Sequence, residues 1–287
     1  MIHLVAFCIV VYRSKQTVNT TDEQAKDPGM FCLFKGPSGA GKTVAALSFP
    51  HIWMADLDIK MPAIALKHFR GKSIEYDVFP DIFELTDKIN SWINGTCPYE
   101  TLVYDSLTSL VSLIFKSIGD CKGESTVQLL KTIKNTRGGS KMVELIGIDY
   151  YNAETRYFDW LLAANKTLYA RPGNPKNIIF TAHIITTESA PDIKTKIVTR
   201  TRSIVTAGRK VAAFVPTQFD ELYLFGTSET GGLEGGSNSH IRHLMTTETS
   251  GEDDAKTAFS LQRMTDFTGK NLYDLLRAQQ AGEEMFV

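Results

Sequence analysis

Apolar residues along this chain gather in short runs at residues 30–34, 52–55, 102–104, 178–182, 222–225 and 241–245, with turn-forming or polar stretches between them. Runs of this length read as buried strands. Between the earlier runs the spacing changes. After Asp105, the residues Leu107, Leu110, Val111, Ile114 and Phe115 recur at helical intervals, and residues 151–164, with Tyr157, Leu161 and Leu162, form a second helical stretch. Strands alternating with helices predict an α/β domain around a mostly parallel central sheet flanked by helices. The last two runs are separated by Gly231-Gly232-Leu233-Glu234-Gly235-Gly236, which predicts a late antiparallel hairpin with a flexible tip.

The polar stretch 14–29 ends in Asp27-Pro28-Gly29, a turn signature, so the folded core is expected to begin near Met30. This divides the chain into an N-terminal extension (1–29), a core (30–262) and a C-terminal helical tail (263–287) carrying Leu272, Leu275 and Leu276. With 287 residues, 43% of them hydrophobic and 22% charged, one large domain with insertions accounts for the length. A formal net charge of -1 excludes a wholly basic surface, so charge has to be read segment by segment. The cysteines Cys8, Cys32, Cys97 and Cys121 have neither zinc-site spacing nor a disulfide framework, which fits a reducing cytoplasm. The apolar run 4–12 falls well short of the roughly 20 residues that span a bilayer, and it lacks the flanks of a secretory signal. No membrane association is expected.

Candidate chemistry starts directly after the first strand. Gly36-Pro37-Ser38-Gly39-Ala40-Gly41-Lys42-Thr43 fits G-x-x-x-x-G-K-[ST] and is followed by an apolar helical stretch at 44–49, the context a phosphate-binding loop requires. Its glycines let the backbone curl so that successive N–H groups face phosphate oxygens, with the helix N-terminus adding partial positive charge. Lys42 would reach the β- and γ-phosphates of ATP, and the Thr43 hydroxyl would ligate Mg²⁺. A carboxylate at the end of a neighbouring hydrophobic strand completes the metal site, and Asp105, closing Thr101-Leu102-Val103-Tyr104-Asp105, is positioned for it.

The residue after Asp105 is Ser106, so a catalytic carboxylate must come from elsewhere. Asp58, just beyond the second strand in Trp53-Met54-Ala55-Asp56-Leu57-Asp58, can orient or deprotonate the attacking water, and Asp56 is the alternative. His183, at the end of Ile178-Ile179-Phe180-Thr181-Ala182-His183, is placed to sense a γ-phosphate, although a structural role suits a lone histidine equally well.

In order along the chain, the phosphate loop, Asp56-Leu57-Asp58, Asp105-Ser106 and His183 resemble the RecA-like core, most closely the phage-encoded RecA-like ATPases of single-strand annealing recombination. The likeness extends through Pro216-Thr217-Gln218-Phe219-Asp220-Glu221-Leu222-Tyr223 to Ala255-Lys256-Thr257, with two departures: Asp58 stands where RecA proteins carry glutamate, and His183 where they carry glutamine. The resemblance implies a Mg²⁺-dependent ATPase that assembles as a homo-oligomeric ring or filament in the host bacterial cytoplasm. It also implies single-stranded DNA as partner, together with a single-strand-binding or annealing protein.

By the same resemblance, DNA is bound after the sensor strand, where Lys194, Lys196, Arg200, Arg202, Arg209 and Lys210 lie in a stretch without acidic residues from Ile193 to Phe219. A second basic region holds Lys131, Lys134, Arg137 and Lys141 around Gly138-Gly139. The alternation from Lys194 to Arg202 is equally that of a solvated edge strand, and Arg209 or Lys210 can instead reach a neighbouring subunit's γ-phosphate. A helicase, a helicase loader, a packaging motor and a P-loop kinase are the competing functions. The kinase would require an arginine-rich lid.

Overall fold

A computed structural model of the chain describes residues 29–68, 74–122, 130–134, 140–144, 148–188, 200–230, 240–247, 255–259 and 261–281. The run 4–12, the turn 27–29 up to Pro28, the glycine-rich tip 231–236, and Lys194, Lys196 and Arg137 lie outside them.

The strands are β1 (Phe31–Gly36), β2 (Ile52–Asp56), β3 (Glu75–Asp77), β4 (Thr101–Asp105), β5 (Leu130–Lys134), β6 (Ser140–Glu144), β7 (Asn177–Glu188), β8 (Arg200–Ile204), β9 (Glu221–Thr230), β10 (His240–Thr246) and β11 (Met264–Asp266). The helices are α1 (Lys42–Ala46), α2 (Met61–His68), α3 (Ile82–Asn94), α4 (Leu107–Lys122), α5 (Ile148–Tyr169), α6 (Arg209–Phe214) and α7 (Leu272–Gln280). Among the described residues, nine strands form one sheet in the order β11-β10-β9-β1-β7-β4-β2-β3, with β8 paired to β7 off this path. From β9 to β3 every pairing is parallel, and β9-β10-β11 closes the sheet antiparallel, so the sheet class and the late hairpin are as the sequence pattern predicts.

Each central strand is buried on both faces, which explains why the sequence shows continuous apolar runs there rather than alternation. Successive side chains still divide between two cores. Phe31 and Leu33 of β1, Trp53 of β2, Leu102 and Tyr104 of β4, and Ile178 and Phe180 of β7 face one core. There they meet Leu85, Ile89 and Trp92 of α3, Leu110 and Ile114 of α4, and Phe158 and Leu161 of α5. Cys32 and Phe34, Met54, Val103 and Ile179 face the second, beside Ala45 and Ala46 of α1, Met61 of α2, Phe267, and Leu272, Leu275 and Leu276 of α7.

Helix α3 begins where Asp81 accepts the N–H groups of Phe83 and Glu84, and its apolar residues Ile82, Leu85, Ile89 and Trp92 repeat at helical spacing on the buried side. Helix α7 is capped in the same way by Asn271. It is a packed element of the second core, and β11, which lies in the segment read from sequence as helical tail, is part of the sheet.

Both basic segments include strands where the structure describes them, the second in line with the edge-strand reading of its sequence. In the second basic region, residues 130–134 and 140–144 pair as antiparallel strands, β5 with β6. The post-sensor segment is partly a strand as well. Past the sheet, β7 runs on through Glu188, and β8 pairs with this projecting half in antiparallel register, Thr186 opposite Arg202. In β8, Arg200 and Arg202 alternate with Thr201 and Ser203, so the two arginines share one face of the ribbon.

Candidate functional site

The carboxyl ends of β1, β2, β4 and β7 meet at one place, the side of an open parallel sheet where ligands generally bind. A cavity of about 790 Å³ opens there, lined by Gly39, Gly41, Lys42, Thr43, Asp58, Asp105 and His183 among others. Its size falls within the ordinary range for small-molecule sites. All four residues singled out for catalysis from the sequence therefore line one cavity.

The loop that leaves β1 is shaped by its glycines. A Cβ on Gly36 would lie 2.4 Å from the Phe225 carbonyl oxygen, so only glycine lets the end of β1 approach β9 this closely. Gly41 has φ of 90°, a left-handed conformation that suits glycine, immediately before α1. Helix α1 spans five residues, shorter than the 44–49 stretch suggested.

Lys42 is buried and donates from Nζ to the carbonyls of Gly36 at 2.8 Å and Pro37 at 2.7 Å, which uses two of its three donors. Burial pulls its ammonium down to about 8, with the charge of Lys60 adding to the effect and Asp105 and Asp58 opposing it.

Asp105 ends β4 and is 3% exposed. Thr43 Oγ1 donates to its Oδ2 at 2.7 Å, and the Thr181 hydroxyl donates to its Oδ1. Burial raises the Asp105 carboxyl above the usual range, and these two hydroxyls oppose the rise. A hydroxyl and a carboxylate in direct contact are the donors a Mg²⁺ ion takes from protein when phosphates and water supply the rest of its octahedron. The residues present thus fit the metal, and no cluster of three or more His, Cys, Asp or Glu able to hold an ion occurs among the described residues.

The two candidate carboxylates after β2 have different surroundings. Asp56 is fully buried, and both its oxygens accept backbone N–H groups at the start of α2, from Lys60 at 3.0 Å and Met61 at 2.9 Å. It caps the start of α2 and is not among the residues that line the cavity. Asp58 faces the cavity. Ser106 Oγ donates to its Oδ1 at 3.1 Å, the Ser109 hydroxyl donates to the same oxygen, and the Lys60 ammonium donates to Oδ2. Burial pushes Asp58 up, but the bonds from Lys60, Ser109 and Ser106 outweigh it and hold the carboxyl below its ordinary value.

His183 Nε2 lies 3.9 Å from Asp58 Oδ2, too far for a direct hydrogen bond. Burial and the charge of Lys42 lower its pKa, which keeps the ring neutral near pH 7 and able both to donate and to accept.

Several residues of this site carry no local sequence signal. Ile241 and His243 of β10, and Phe267, Thr268, Lys270 and Asn271 between β11 and α7, form the far wall of the cavity. They arrive from the end of the chain. Ser106 and Ser109 at the start of α4 are legible only as ordinary helix-terminus residues. Of the basic residues proposed from sequence, Arg202 lies on β8 and Lys210 is exposed at the start of α6, while Arg200 and Arg209 take part in these elements through their backbone.

No helix among the described residues is long and apolar enough to cross a membrane. No curated protein matches the sequence. Two solved archaeal structures are similar to this chain at 12% identity. One is the flagellar accessory protein FlaH from Methanocaldococcus jannaschii, at a TM-score of 0.35, with 86% of this chain and 88% of that one covered. The other is the KaiC-like protein PH0186 from Pyrococcus horikoshii OT3, at a TM-score of 0.37, with 76% and 78% covered. At that level of likeness neither adds to the fold assignment, which rests on strand order, with β7 between the phosphate-loop strand β1 and the Asp105 strand β4 in the RecA-like manner. The AAA_24 family, described as an AAA domain, matches residues 29–259. With its phosphate loop and Asp105 inside that span, the chain belongs to this family of P-loop ATPases.

Proposed function

We propose that this protein is a Mg²⁺-dependent ATP hydrolase that binds single-stranded DNA and supports homologous recombination or strand annealing. The observation that carries the ATPase reading is the convergence of Lys42, Thr43, Asp58, Asp105 and His183 on one cavity at the strand ends. Lys42 and the loop N–H groups bind the phosphates. Thr43 and Asp105 would hold Mg²⁺, which would supply positive charge against the phosphates. Asp58, held below its ordinary pKa, orients the attacking water more than it deprotonates it. His183, neutral and near the Asp58 edge, is placed to hydrogen-bond the γ-phosphate.

DNA binding is supported by the geometry of the β7–β8 ribbon, which projects from the strand that carries His183 and bears Arg200 and Arg202. Lys194, Lys196, Arg209 and Lys210 belong to the same acid-free stretch. The annealing role, a phage origin and assembly into a ring or filament in the cytoplasm rest on the sequence resemblance.

The test is steady-state ATP hydrolysis with and without single-stranded DNA over a salt series. Stimulation by DNA that fades with salt is expected. Arg202→Ala and Lys210→Ala should each lower the salt slope of binding by about 0.7 if they contact a phosphate. Turnover indifferent to DNA at every salt concentration would remove the recombination reading. Asp58→Asn should lower kcat by about 10²–10⁴-fold while nucleotide affinity persists.

The depressed pKa of Lys42 gives a pH signature. Phosphates favour the ammonium form, so nucleotide binding raises its pKa from about 8, and binding between pH 8 and 9 should take up a proton. Affinity should therefore fall as pH rises above about 8. Calorimetry in two buffers of different ionisation enthalpy reads the uptake directly, and its absence would show that Lys42 does not meet the phosphates.

A further inference from the structure

Lys60 sits on the cavity edge of Asp58. Its backbone is pinned, because its N–H is held by Asp56 at 3.0 Å and its carbonyl accepts the N–H groups of Ala63 and Ile64 at 3.1 Å. Its side chain is about half exposed, while that of Asp58 is 5% exposed. An ion pair with one partner this exposed contributes little to stability. Its placement needs another explanation.

The charges around the cavity supply one. Asp58 keeps its carboxylate ionised beside the place where the γ-phosphate of bound ATP would lie. Two like charges at that separation repel strongly where water is excluded. The two sides of Asp58 are treated differently: serine hydroxyls hold Oδ1 from behind, and the Lys60 ammonium covers Oδ2, the oxygen nearer His183. Lys42 donates to the Gly36 and Pro37 carbonyls of the phosphate loop, whereas Lys60 donates directly to Asp58. Ile59, between Asp58 and Lys60, is 67% exposed and has φ of 55°, a left-handed conformation uncommon for a β-branched residue. The turn thus holds Asp58 and Lys60 together at a backbone cost that no buried contact of Ile59 offsets.

We propose that Lys60 is a positioning residue that neutralises Asp58 so that the site tolerates a γ-phosphate, which makes it a determinant of triphosphate over diphosphate binding. This inference rests on the ATPase reading above. It assigns Lys60 an action through Asp58 and not through direct contact with phosphate.

The test measures the affinity of the full chain, with Mg²⁺, for the non-hydrolysable imidotriphosphate analogue of ATP and for ADP, by calorimetry. Lys60→Ala should weaken binding of the triphosphate analogue about 10-fold and leave ADP within about 2-fold. Lys60→Arg should retain wild-type affinity for both. The Asp58→Asn/Lys60→Ala double variant should recover the triphosphate affinity, since the repelling charge is gone. A simple packing defect would not be repaired in this way. Unchanged triphosphate affinity in Lys60→Ala, or a loss that persists in the double variant, overturns the inference and leaves the ATPase reading standing. A wild-type protein that binds neither nucleotide overturns both.

Discussion

Replacing Lys42 with alanine will reduce ATP hydrolysis by on the order of 10²–10³-fold without unfolding the protein. The ammonium is the only lysine or arginine group placed by the phosphate loop itself, and it spans the loop through the Gly36 and Pro37 carbonyls. Removing it takes away the positive charge that meets developing negative charge on the phosphates. The fold should tolerate the change, because the group is held charged against a burial penalty, as its pKa of about 8 shows. Its partners are carbonyls at the rim of an open cavity, which water can reach. Hydrolysis assays and thermal melts of the same preparation separate the two effects. A variant with wild-type turnover would remove the phosphate-loop assignment, whereas one that melts far earlier would mark Lys42 as structural.

The largest stability effect is expected at Trp53. This side chain is fully buried on β2, with its ring edge-on to Trp92 at 4.6 Å and to Tyr104 at 6.1 Å. Its indole N–H donates to Asp77 Oδ2 at 2.7 Å, which ties β2 to the edge strand β3. Trp53→Ala should cost about 3–5 kcal/mol, the loss of a large aromatic from a packed core together with the cavity left behind. Trp53→Phe keeps most of the ring contact and loses mainly the hydrogen bond, so its cost should be nearer 1 kcal/mol. Urea denaturation compares the two. Equal costs would place the stabilising contribution in the Asp77 link and not in the packing. Because β2 carries Asp56 and Asp58 at its end, the alanine variant should also lose activity before it unfolds.

The parts of this site that were legible in the sequence are those whose chemistry is local. The phosphate loop is eight consecutive residues after a strand, and Asp105 and His183 close apolar runs, so one-dimensional pattern finds them. The choice between Asp56 and Asp58 was not legible. It depends on where backbone N–H groups of the next helix point, and two of them satisfy Asp56. The hydroxyls of Ser109 and Thr181 were invisible for a related reason, since each meets its carboxylate through the meeting of separate elements, while the Lys60 ammonium reaches Asp58 only through the shape of the turn that joins them. The sheet was legible because parallel strands buried on both faces write themselves as apolar runs. The pairing of β5 with β6 was not, because neither five-residue run keeps a strict alternation, whereas β8 lies at the end of the alternation already readable as an edge strand.

The meeting of α7 with α1 has a consequence for the life of the chain on the ribosome. The Tyr273 N–H donates to Ser48 Oγ across 225 residues of sequence, and Leu272, Leu275 and Leu276 fill the core directly beneath the phosphate loop. Among the described residues the loop is synthesised early and its floor 225 residues later. At translation speeds of about 5–20 residues per second, roughly 10 to 50 seconds separate the two. A nascent chain therefore carries the complete phosphate loop through that interval without α7, and the floor that supports the loop is in place only once α7 has been made.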